Sequence, residues 1–324
     1  MEQRKNLYNI GYFGTLRLSS SLREIFMQTV LVTGGSGFIG RHFCRAASQF
    51  GWHLIVLSRS PAKAKMVLPE AVQIVSNLNQ IAADESIDVV VNLAGEPLAE
   101  SRWTDGKKEK FYASRSGLTD SLYSFFRERE LAPATLVSGS AIGYYGSGSD
   151  PKHEESAVVD GFSHQLCNSW EKSANQFQSL GTRVCTLRTG IVLGDQGALA
   201  KMLLPFKCGL GGPIGDGRQM MSWIHITDMV NVLLHCIADT GLSGPINATA
   251  PNPVDNKTFV KALGKTLHRP VALPMPGFMV RLLFGEMGVE LLLQGQCVIP
   301  QKLQQNGFRF EFPSLPQALD DLLS

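Results

Sequence analysis

A run of closely spaced glycines near the start of the chain constrains the fold more than any other feature. It reads Thr33-Gly34-Gly35-Ser36-Gly37-Phe38-Ile39-Gly40. The β-branched run Thr29–Thr33 precedes it, and a helical apolar spacing over Arg41–Gly51 follows it. Glycines three residues apart between a strand and a helix permit a tight turn and close approach of the backbone to a pyrophosphate. We therefore predict that this loop binds a dinucleotide; the alternative is a glycine-rich turn without a ligand.

Strand and helix signals alternate through the first two thirds of the chain. Apolar runs predict strands at Leu54–Leu57, Asp88–Leu93, Thr135–Ser138 and Arg183–Leu187, and Thr119–Glu130 has a helical spacing. Such alternation indicates parallel βαβ units. We predict an α/β fold with a doubly wound parallel Rossmann sheet.

The pattern changes after about Gly194, which suggests a division of the chain. We predict a Rossmann domain over residues 27–194 and a second region over 195–324, with later strands from 195–250 joining the sheet. In the second part, Thr227 and Asp255 are expected to cap helices, and Pro245–Asn247 to form a late strand. Prolines punctuate the segment from about 271 to 320, which predicts short helices packed on the main domain.

The end of the second strand bears on the choice of dinucleotide. An NAD site carries an acidic residue there, about 20 residues after the glycines, to bind the ribose. This chain has Leu57, Ser58, Arg59 and Ser60 instead. Arg59 can pair with a 2′-phosphate and Ser58 can add a hydrogen bond, so we predict NADP(H) over NAD(H). Alternatively, Arg59 is a solvated loop charge.

A second cofactor contact is expected after the valine-rich strand. The small residues of Asn92-Leu93-Ala94-Gly95 would let the cofactor lie close to the backbone, although the same residues could simply end a strand.

Composition excludes several partners. The chain has 30 Lys and Arg against 28 Asp and Glu, a net charge of +2. Residues 1–26 contain four of these basic and two of these acidic residues, so residues 27–324 hold 26 of each. This balance argues against nucleic acid as the main partner. The sequence contains no apolar run of 18 residues, so no membrane-spanning helix is predicted. The histidines and cysteines lack the spacing of a metal site.

Cysteine usage and the first residues give expectations about location. Six scattered cysteines without a CxxC motif are typical of a reducing compartment, and we expect a cytoplasmic protein. Residues 1–26 lack the apolar core of a signal peptide, and Met27 directly precedes the first strand. We expect residues 1–26 to be a non-native upstream extension; a disordered tail or a transit-like segment is the alternative.

With these residues in hand, the chain resembles the short-chain dehydrogenase/reductase superfamily, in its extended, epimerase-like branch, and more narrowly the YfcH-type epimerase-family proteins. The resemblance runs from Met27 nearly to the C-terminus. Besides the glycine loop and Asn92–Pro97, its marks are Ser138–Gly146, Trp170-Glu171, Leu187–Gly194, Leu210–Gly215 and Trp223–Ile226. It implies a Rossmann sheet of about seven strands with a smaller C-terminal substrate region, residues 195–324, which includes a small module at about 271–320. It also implies that Ser138, Arg188, Thr189, Gly190 and Val192 lie near the cofactor.

The chain departs from the superfamily at its usual catalytic pair, a Tyr-x-x-x-Lys motif on one helix. Glu171 anchors the alignment of this helix, at about Ser163–Phe177, and puts Ser163 at the tyrosine position and Cys167 at the lysine position. The candidate substitutes are Ser140, Tyr144 and Tyr145, each with a structural reading as the alternative. His164 and His225 are further candidate acids or bases, and Arg188, Arg218 and Gln219 could hold an anionic or hydroxylated substrate.

Two functions remain open at this point. One is an NADP(H)-dependent oxidoreductase or epimerase-like enzyme acting on a small molecule. The other is a catalytically weak or inactive NADP(H)-binding protein that regulates or binds a partner. A homodimer is compatible with both.

Overall fold

A computed structural model describes residues 28–324. Its centre is a seven-stranded sheet with the strand order β3-β2-β1-β4-β5-β7-β11, in which every neighbouring pair is parallel. These strands are β1 Thr29–Thr33, β2 His53–Leu57, β3 Gln73–Val75, β4 Val89–Asn92, β5 Thr135–Ala141, β7 Arg183–Thr189 and β11 Gly244–Ala248. The order reverses beside β1, which creates the crevice of a Rossmann fold. The predicted fold class and strand number are confirmed.

Helices cover both faces of the sheet, and successive residues of its central strands are therefore buried. Val30 and Val32 of β1 face one core, whereas Leu31 faces the other. Helices α1 and α7 pack on the first face, and α4 and α5 on the second. The helices are α1 Phe38–Gln49, α2 Pro61–Lys65, α3 Asp105–Tyr112, α4 Leu118–Arg129, α5 Phe162–Asn175, α6 Gly197–Lys207, α7 Ile226–Ala238, α8 Asn256–Thr266, α9 Gly277–Gly288, α10 Gln301–Gln305 and α11 Leu315–Leu323.

The structure corrects several predicted element boundaries. Helix α1 begins at Phe38, inside the glycine motif, rather than at Arg41. The N-cap of α7 is His225 and not Thr227, because the His225 side chain accepts a hydrogen bond from the Thr227 N–H. Asp255 caps α8 as predicted. The three-residue edge strand β3 was not predicted.

Short strands join the C-terminal part of the chain to the main body. They are β6 Gly148–Lys152, β8 Ile191–Leu193, β9 Met220–Met221, β10 Trp223–His225, β12 Val254–Asp255 and β13 Gln296–Val298. Strand β13 pairs with β6. The Ser222 hydroxyl donates to the Gln296 carbonyl and accepts from the Val298 N–H. The segment from about 271 to 320 is therefore fastened to the Rossmann body through its backbone.

The expectation that residues 1–26 are a non-native upstream extension falls outside the described residues. Between residues 28 and 324, no helix is long and apolar enough to cross a membrane. The same part of the chain contains no cluster of His, Cys, Asp and Glu side chains that could hold a metal ion.

Candidate functional site

The glycine loop brings two strand ends of the sheet very close together. Gly34 has a φ of +68°, and a Cβ atom built there would lie 2.7 Å from the carbonyl carbon of Leu93. A Cβ on Gly40 would lie 2.2 Å from the Gly34 oxygen. Any side chain at either position would therefore force the loop apart. Only backbone atoms therefore lie between the glycine loop and the end of β4, and we call the space beside this loop the cleft.

The first turn of α1 provides polar groups for an anion. Gly37 is the N-cap and gives no side-chain hydrogen bond, and the turn contains no acidic residue. Ser36 and Gly37 are exposed at the rim of the loop. The free N–H groups and the positive end of the helix dipole favour a phosphate at this position. The ring of Phe38 lies against Gly194 at the other side of the loop.

A buried chain of hydrogen bonds fixes the geometry between β1 and β4. The Thr33 hydroxyl donates to Asn92 Oδ1 over 2.6 Å, and Asn92 Nδ2 donates to the Thr119 hydroxyl over 2.8 Å. The Ala94 N–H donates to Thr33 Oγ1. Gly95 follows and lies against the guanidinium of Arg115. Of the residues predicted to bind the cofactor, Thr33 and Asn92 thus position the loop, while Ala94 and Gly95 border the cleft.

Arg59 projects from the carboxyl end of β2. Its side chain is 89% exposed, and its guanidinium lies 3.9 Å from the Glu96 carboxylate. Lys107 lies 3.6 Å from the same carboxylate, so two cations share one acid and this corner keeps a positive charge. Ser58 is buried and its hydroxyl accepts the Ser60 N–H, which holds the turn that presents Arg59.

The other end of the cleft rests on a buried polar network. Arg188 donates to both carboxylate oxygens of Glu171, over 2.8 and 2.9 Å, and to the Tyr145 hydroxyl over 3.0 Å. The Ser140 hydroxyl also donates to Glu171, and the Tyr145 hydroxyl donates to Asn247. Burial opposes the charge on Arg188, but Glu171 and Tyr145 outweigh it and hold the pKa of the guanidinium above its ordinary value.

This network changes the interpretation of two sequence candidates. Arg188 donates four of its five N–H groups to acceptors inside the protein, and the fourth acceptor is the Glu154 carbonyl. Arg188 therefore positions its neighbours in the network and does not present a free cation to a ligand. Tyr145 is fully buried, and burial raises its pKa to about 12. Both observations oppose a catalytic role for Tyr145.

Tyr144 and His164 lie together above the network. The Tyr144 ring stacks on the Arg188 guanidinium, with 3.4 Å from Cζ to the ring centroid. His164 Nδ1 lies 2.5 Å from the Tyr144 carbonyl oxygen. A carbonyl oxygen only accepts, so Nδ1 carries the proton of this hydrogen bond. Both side chains are half-buried and remain candidates for proton transfer.

The positions of the usual catalytic pair are filled by other contacts. Cys167 is buried, and burial raises its pKa to about 12, so it is a neutral thiol near pH 7. Ser163 donates to Glu290 Oε2 over 2.8 Å. Sequence analysis missed Glu290. It lies in a π-helical segment, Val289–Leu293, directly after α9, and π-helical turns are frequent at functional sites. The C-terminal segment thus places a carboxylate at the expected tyrosine position.

The remaining predicted residues lie around the turn between β7 and β8 and in the glycine-rich loop. Gly190 follows Thr189 and donates its N–H to the Ala248 carbonyl, and Val192 is half-buried in β8. Ser138 is fully buried in β5. Gln219 donates to the Ile214 and Leu292 carbonyls and so holds the loop in place.

Arg218 is exposed at a cavity of about 270 Å³. Residues from β6, from the glycine-rich loop and from the C-terminal segment line this cavity, among them Ser147, Arg218 and Gln294.

This fold and cleft define a protein of the short-chain dehydrogenase/reductase class. Comparison with known proteins agrees. The chain belongs to the NAD-dependent epimerase/dehydratase family, whose model matches residues 30–247. Residues 275–322 match a domain of unknown function, DUF1731.

The chain is also similar to individual bacterial proteins. The chain is 36% identical over 301 residues to epimerase family protein YfhF of Bacillus subtilis (strain 168), covering 91% of this chain and 98% of the relative. It is 35% identical to epimerase family protein SAR0825 of Staphylococcus aureus (strain MRSA252), covering 92% and 100%.

Solved structures give the same result. The crystal structure of human epimerase family protein SDR39U1 (isoform 2) with NADPH is 32% identical and superposes with a TM-score of 0.81, covering 91% of this chain and 99% of that one. UDP-glucuronic acid 4-epimerase from Bacillus cereus, at 17% identity and a TM-score of 0.74 over 91% and 98% of the two chains, shares the fold.

Proposed function

We propose that the chain binds NADP(H), in preference to NAD(H), between the glycine loop and residues 92–95. The exposed Arg59 carries this proposal. It stands beside Ser58 at the end of β2, where an NAD site would have a carboxylate. A planar guanidinium can form two hydrogen bonds with a phosphate. That the human relative crystallised with NADPH supports the same choice.

The residues present fit such a cofactor. A Cβ atom at Gly34 or Gly40 would collide with neighbouring backbone, and a compact glycine loop of this kind lets the backbone approach a pyrophosphate. The uncapped first turn of α1 would hold the phosphates, and Arg59 the 2′-phosphate. Thr189, Gly190 and Val192 would border the nicotinamide. When bound, the cofactor would supply or accept a hydride.

The site favours an oxidoreductase or epimerase-like activity on a small carbonyl or hydroxylated molecule. Glu290, held by Ser163, stands where a proton donor or acceptor is needed. Tyr144 stacks on Arg188, and Ser140 near the end of β5 donates to Glu171. The six free cysteines are consistent with action in a reducing compartment such as the cytoplasm.

One observation favours the second candidate, a cofactor-binding protein without turnover. Cys167 cannot supply the positive charge that lowers the pKa of a catalytic tyrosine, because it is buried and neutral. A protein of this kind would bind NADP(H) and turn over no carbonyl substrate.

Fluorescence titration with NADPH and NADH tests the cofactor proposal. We expect Arg59→Ala to weaken NADPH binding about 10-fold to 100-fold, because a charge-assisted hydrogen bond contributes about 1.5 to 3 kcal/mol. Binding of NADH should not change. Arg309→Ala removes another exposed arginine and serves as the matched control. Equal NADPH affinity in Arg59→Ala and wild type would refute the NADP preference, and failure of both cofactors to bind would refute the site itself.

A screen of carbonyl compounds with bound NADPH separates the two candidates. Oxidation of NADPH with any member of the screen would establish the enzyme. Binding without turnover across the screen would favour the second candidate.

A further inference from the structure

Arg115 is a buried cation beside the cleft. It is 9% exposed and lies in a π-helical segment, Ala113–Gly117, which joins α3 to α4. A Cβ atom built on Gly95 would lie only 3.0 Å from the Arg115 Cζ atom. The lack of a side chain at residue 95 therefore lets the guanidinium lie directly against the backbone that borders the cleft. Such π-helical turns are frequent at functional sites.

The charge of Arg115 has no counter-charge of its own. Within the described residues no carboxylate forms an ion pair with it, and the Glu96 carboxylate is paired with Arg59 and Lys107 instead. Burial lowers the pKa of Arg115, whereas the pKa of the buried Arg188, which is paired with a carboxylate, is raised. A guanidinium nevertheless stays protonated near pH 7. Because a buried charge without a partner is unfavourable, an anionic ligand would be stabilised beside Arg115.

Arg115 also keeps hydrogen-bond donors in reserve. Nη2 donates to the Glu96 carbonyl over 2.9 Å, and Nη1 donates to the Phe111 carbonyl and the Ser114 hydroxyl over 3.4 Å each. Two of the five N–H groups, that of Nε and the second of Nη2, thus have no acceptor among residues 28–324. The Trp170 ring lies 5.3 Å from Arg115 Cζ, and its buried N–H has no acceptor in this part of the chain either. Donors are in excess here, so a ligand that offers acceptor oxygens fits.

Arg115 faces the part of α5 that carries Cys167, the residue at the lysine position of the usual catalytic pair. Trp170 follows Cys167 by three residues and so lies on the same side of α5. The hydroxyls of Ser116 and Ser169 are 2.9 Å apart and join the two segments. Burial raises the pKa of the Cys167 thiol, and the charge of Arg115 opposes this effect. A cation from another helix therefore stands beside the position where the lysine is missing.

We propose that Arg115 takes the place of the missing lysine and binds the nicotinamide half of the cofactor through its two remaining N–H groups. This inference rests on the proposed function, because it concerns the cofactor of that same cleft. Oxygen atoms of the nicotinamide ribose and its phosphate would accept these N–H groups, and the phosphate would supply the counter-charge. Arg59 would hold the 2′-phosphate, so the two arginines would bind opposite halves of the cofactor. Arg115 also supplies the positive charge that the neutral Cys167 cannot.

Calorimetric titration with NADPH and with 2′,5′-ADP tests the proposal, because 2′,5′-ADP has the adenosine half and lacks the nicotinamide half. We expect Arg115→Gln to weaken NADPH binding about tenfold to 100-fold, the effect of a lost charge-assisted hydrogen bond. It should leave the affinity for 2′,5′-ADP unchanged, whereas Arg59→Ala should weaken the binding of both ligands. Arg129→Gln is the matched control, since Arg129 also donates to backbone carbonyls, those of residues 82, 83 and 85. It should bind both ligands as wild type does.

Arg115→Lys separates the charge of this side chain from its contacts with the backbone. Lysine keeps a positive charge but lacks the planar fork that reaches the Glu96 and Phe111 carbonyls. We expect Arg115→Lys to retain most of the NADPH affinity that Arg115→Gln loses. Equal losses in Arg115→Lys and Arg115→Gln would show that the charge is not used, and would overturn the proposal.

The two ligands keep the failure of this inference distinct from the failure of the cofactor proposal. A wild-type protein that does not bind NADPH would overturn both. If wild type binds NADPH, equal NADPH affinity in Arg115→Gln would overturn the role of Arg115 alone. So would an equal loss of NADPH and 2′,5′-ADP in Arg115→Gln, which would make Arg115 a structural support of the loop after β4. Circular dichroism verifies that the variants fold, and Arg115→Met, which keeps the apolar stem of the side chain, replaces Arg115→Gln if that variant does not.

Discussion

Arg188 of β7 and Glu171 of α5 form a two-point ion pair in the interior of the protein. Their side chains are 4% and 8% exposed. The pair ties a strand of the sheet to the helix that carries Ser163 and Cys167, and it also holds Ser140 through the same carboxylate. The relative placement of these three side chains at the cleft therefore depends on one buried contact.

Glu171→Ala is expected to lower the free energy of unfolding by about 3 to 5 kcal/mol, because it leaves a buried guanidinium without its counter-charge. Urea unfolding measures this change. Glu286→Ala breaks the more exposed pair with Lys108 and should cost about 1 kcal/mol or less. Similar losses in the two variants would show that burial of the Arg188 pair has no special energetic weight.

Gly40→Ala is expected to abolish NADPH binding, since the new Cβ would lie 2.2 Å from the Gly34 oxygen and displace the loop. Gly106→Ala is the control, because a Cβ on that helical glycine meets no atom within 4 Å. It should leave NADPH binding intact and raise stability by up to about 1 kcal/mol. Unchanged NADPH affinity in Gly40→Ala would contradict the assigned loop geometry.

His225 is expected to make stability depend on pH. Burial lowers the pKa of His225 to about 4, against the opposing effect of Asp321, whereas an unfolded histidine titrates near 6.5. The unfolded chain then binds more protons between pH 6.5 and 4, so stability falls as the pH falls through this window, by up to about 3 kcal/mol. Structurally, protonation would fill the Nδ1 atom that accepts the Thr227 N–H.

His225→Asn tests this dependence, because asparagine can still cap α7 but does not titrate. Urea unfolding at steps between pH 7 and 4 should give a flatter curve for the variant than for wild type. Burial raises the pKa of Asp228 to about 6, so protonation of Asp228 increases the stability of the folded protein as the pH falls. Asp228 is present in both proteins, and the difference between the curves isolates His225. Parallel curves for the variant and wild type would exclude His225 as the source of the pH dependence of stability.

Glu290→Gln is expected to reduce NADPH oxidation at least 100-fold with the best substrate of the carbonyl screen, the order of a lost acid or base. NADPH affinity should stay unchanged, since Glu290 contacts Ser163 and not the glycine loop. Glu286→Gln changes a neighbouring exposed carboxylate and provides the control. An active Glu290→Gln variant would return the proton-transfer role to Tyr144 or His164.

The fold could be predicted because its signals are local. Each central strand is a short apolar run, and the glycine loop needs only eight consecutive residues. Strand β3 escaped prediction because three residues at a sheet edge carry little pattern. The cap of α7 was assigned to Thr227 because threonine is a favoured N-cap residue. His225 caps the helix instead, because burial lowers the pKa of its ring and Nδ1 can accept the Thr227 N–H.

The candidate site was less predictable because its contacts join distant parts of the chain. Glu290 lies 127 residues after Ser163, and no spacing rule connects them. Arg188 resembled a ligand-binding cation because it ends a strand beside the cleft, but Glu171, on the preceding helix, takes up its charge. The sequence identifies a cation at a strand end and does not identify its partner.

Because β13 pairs with β6, and the Ser222 hydroxyl bonds to Gln296 and Val298, we expect the two sequence modules to unfold as a single cooperative unit. Within the described residues, β6 has no other strand beside it. Calorimetry should record one heat-absorption peak and not two. Two fragments made by cutting the chain after residue 270 should reassociate when they are refolded together, as the halves of a split protein do.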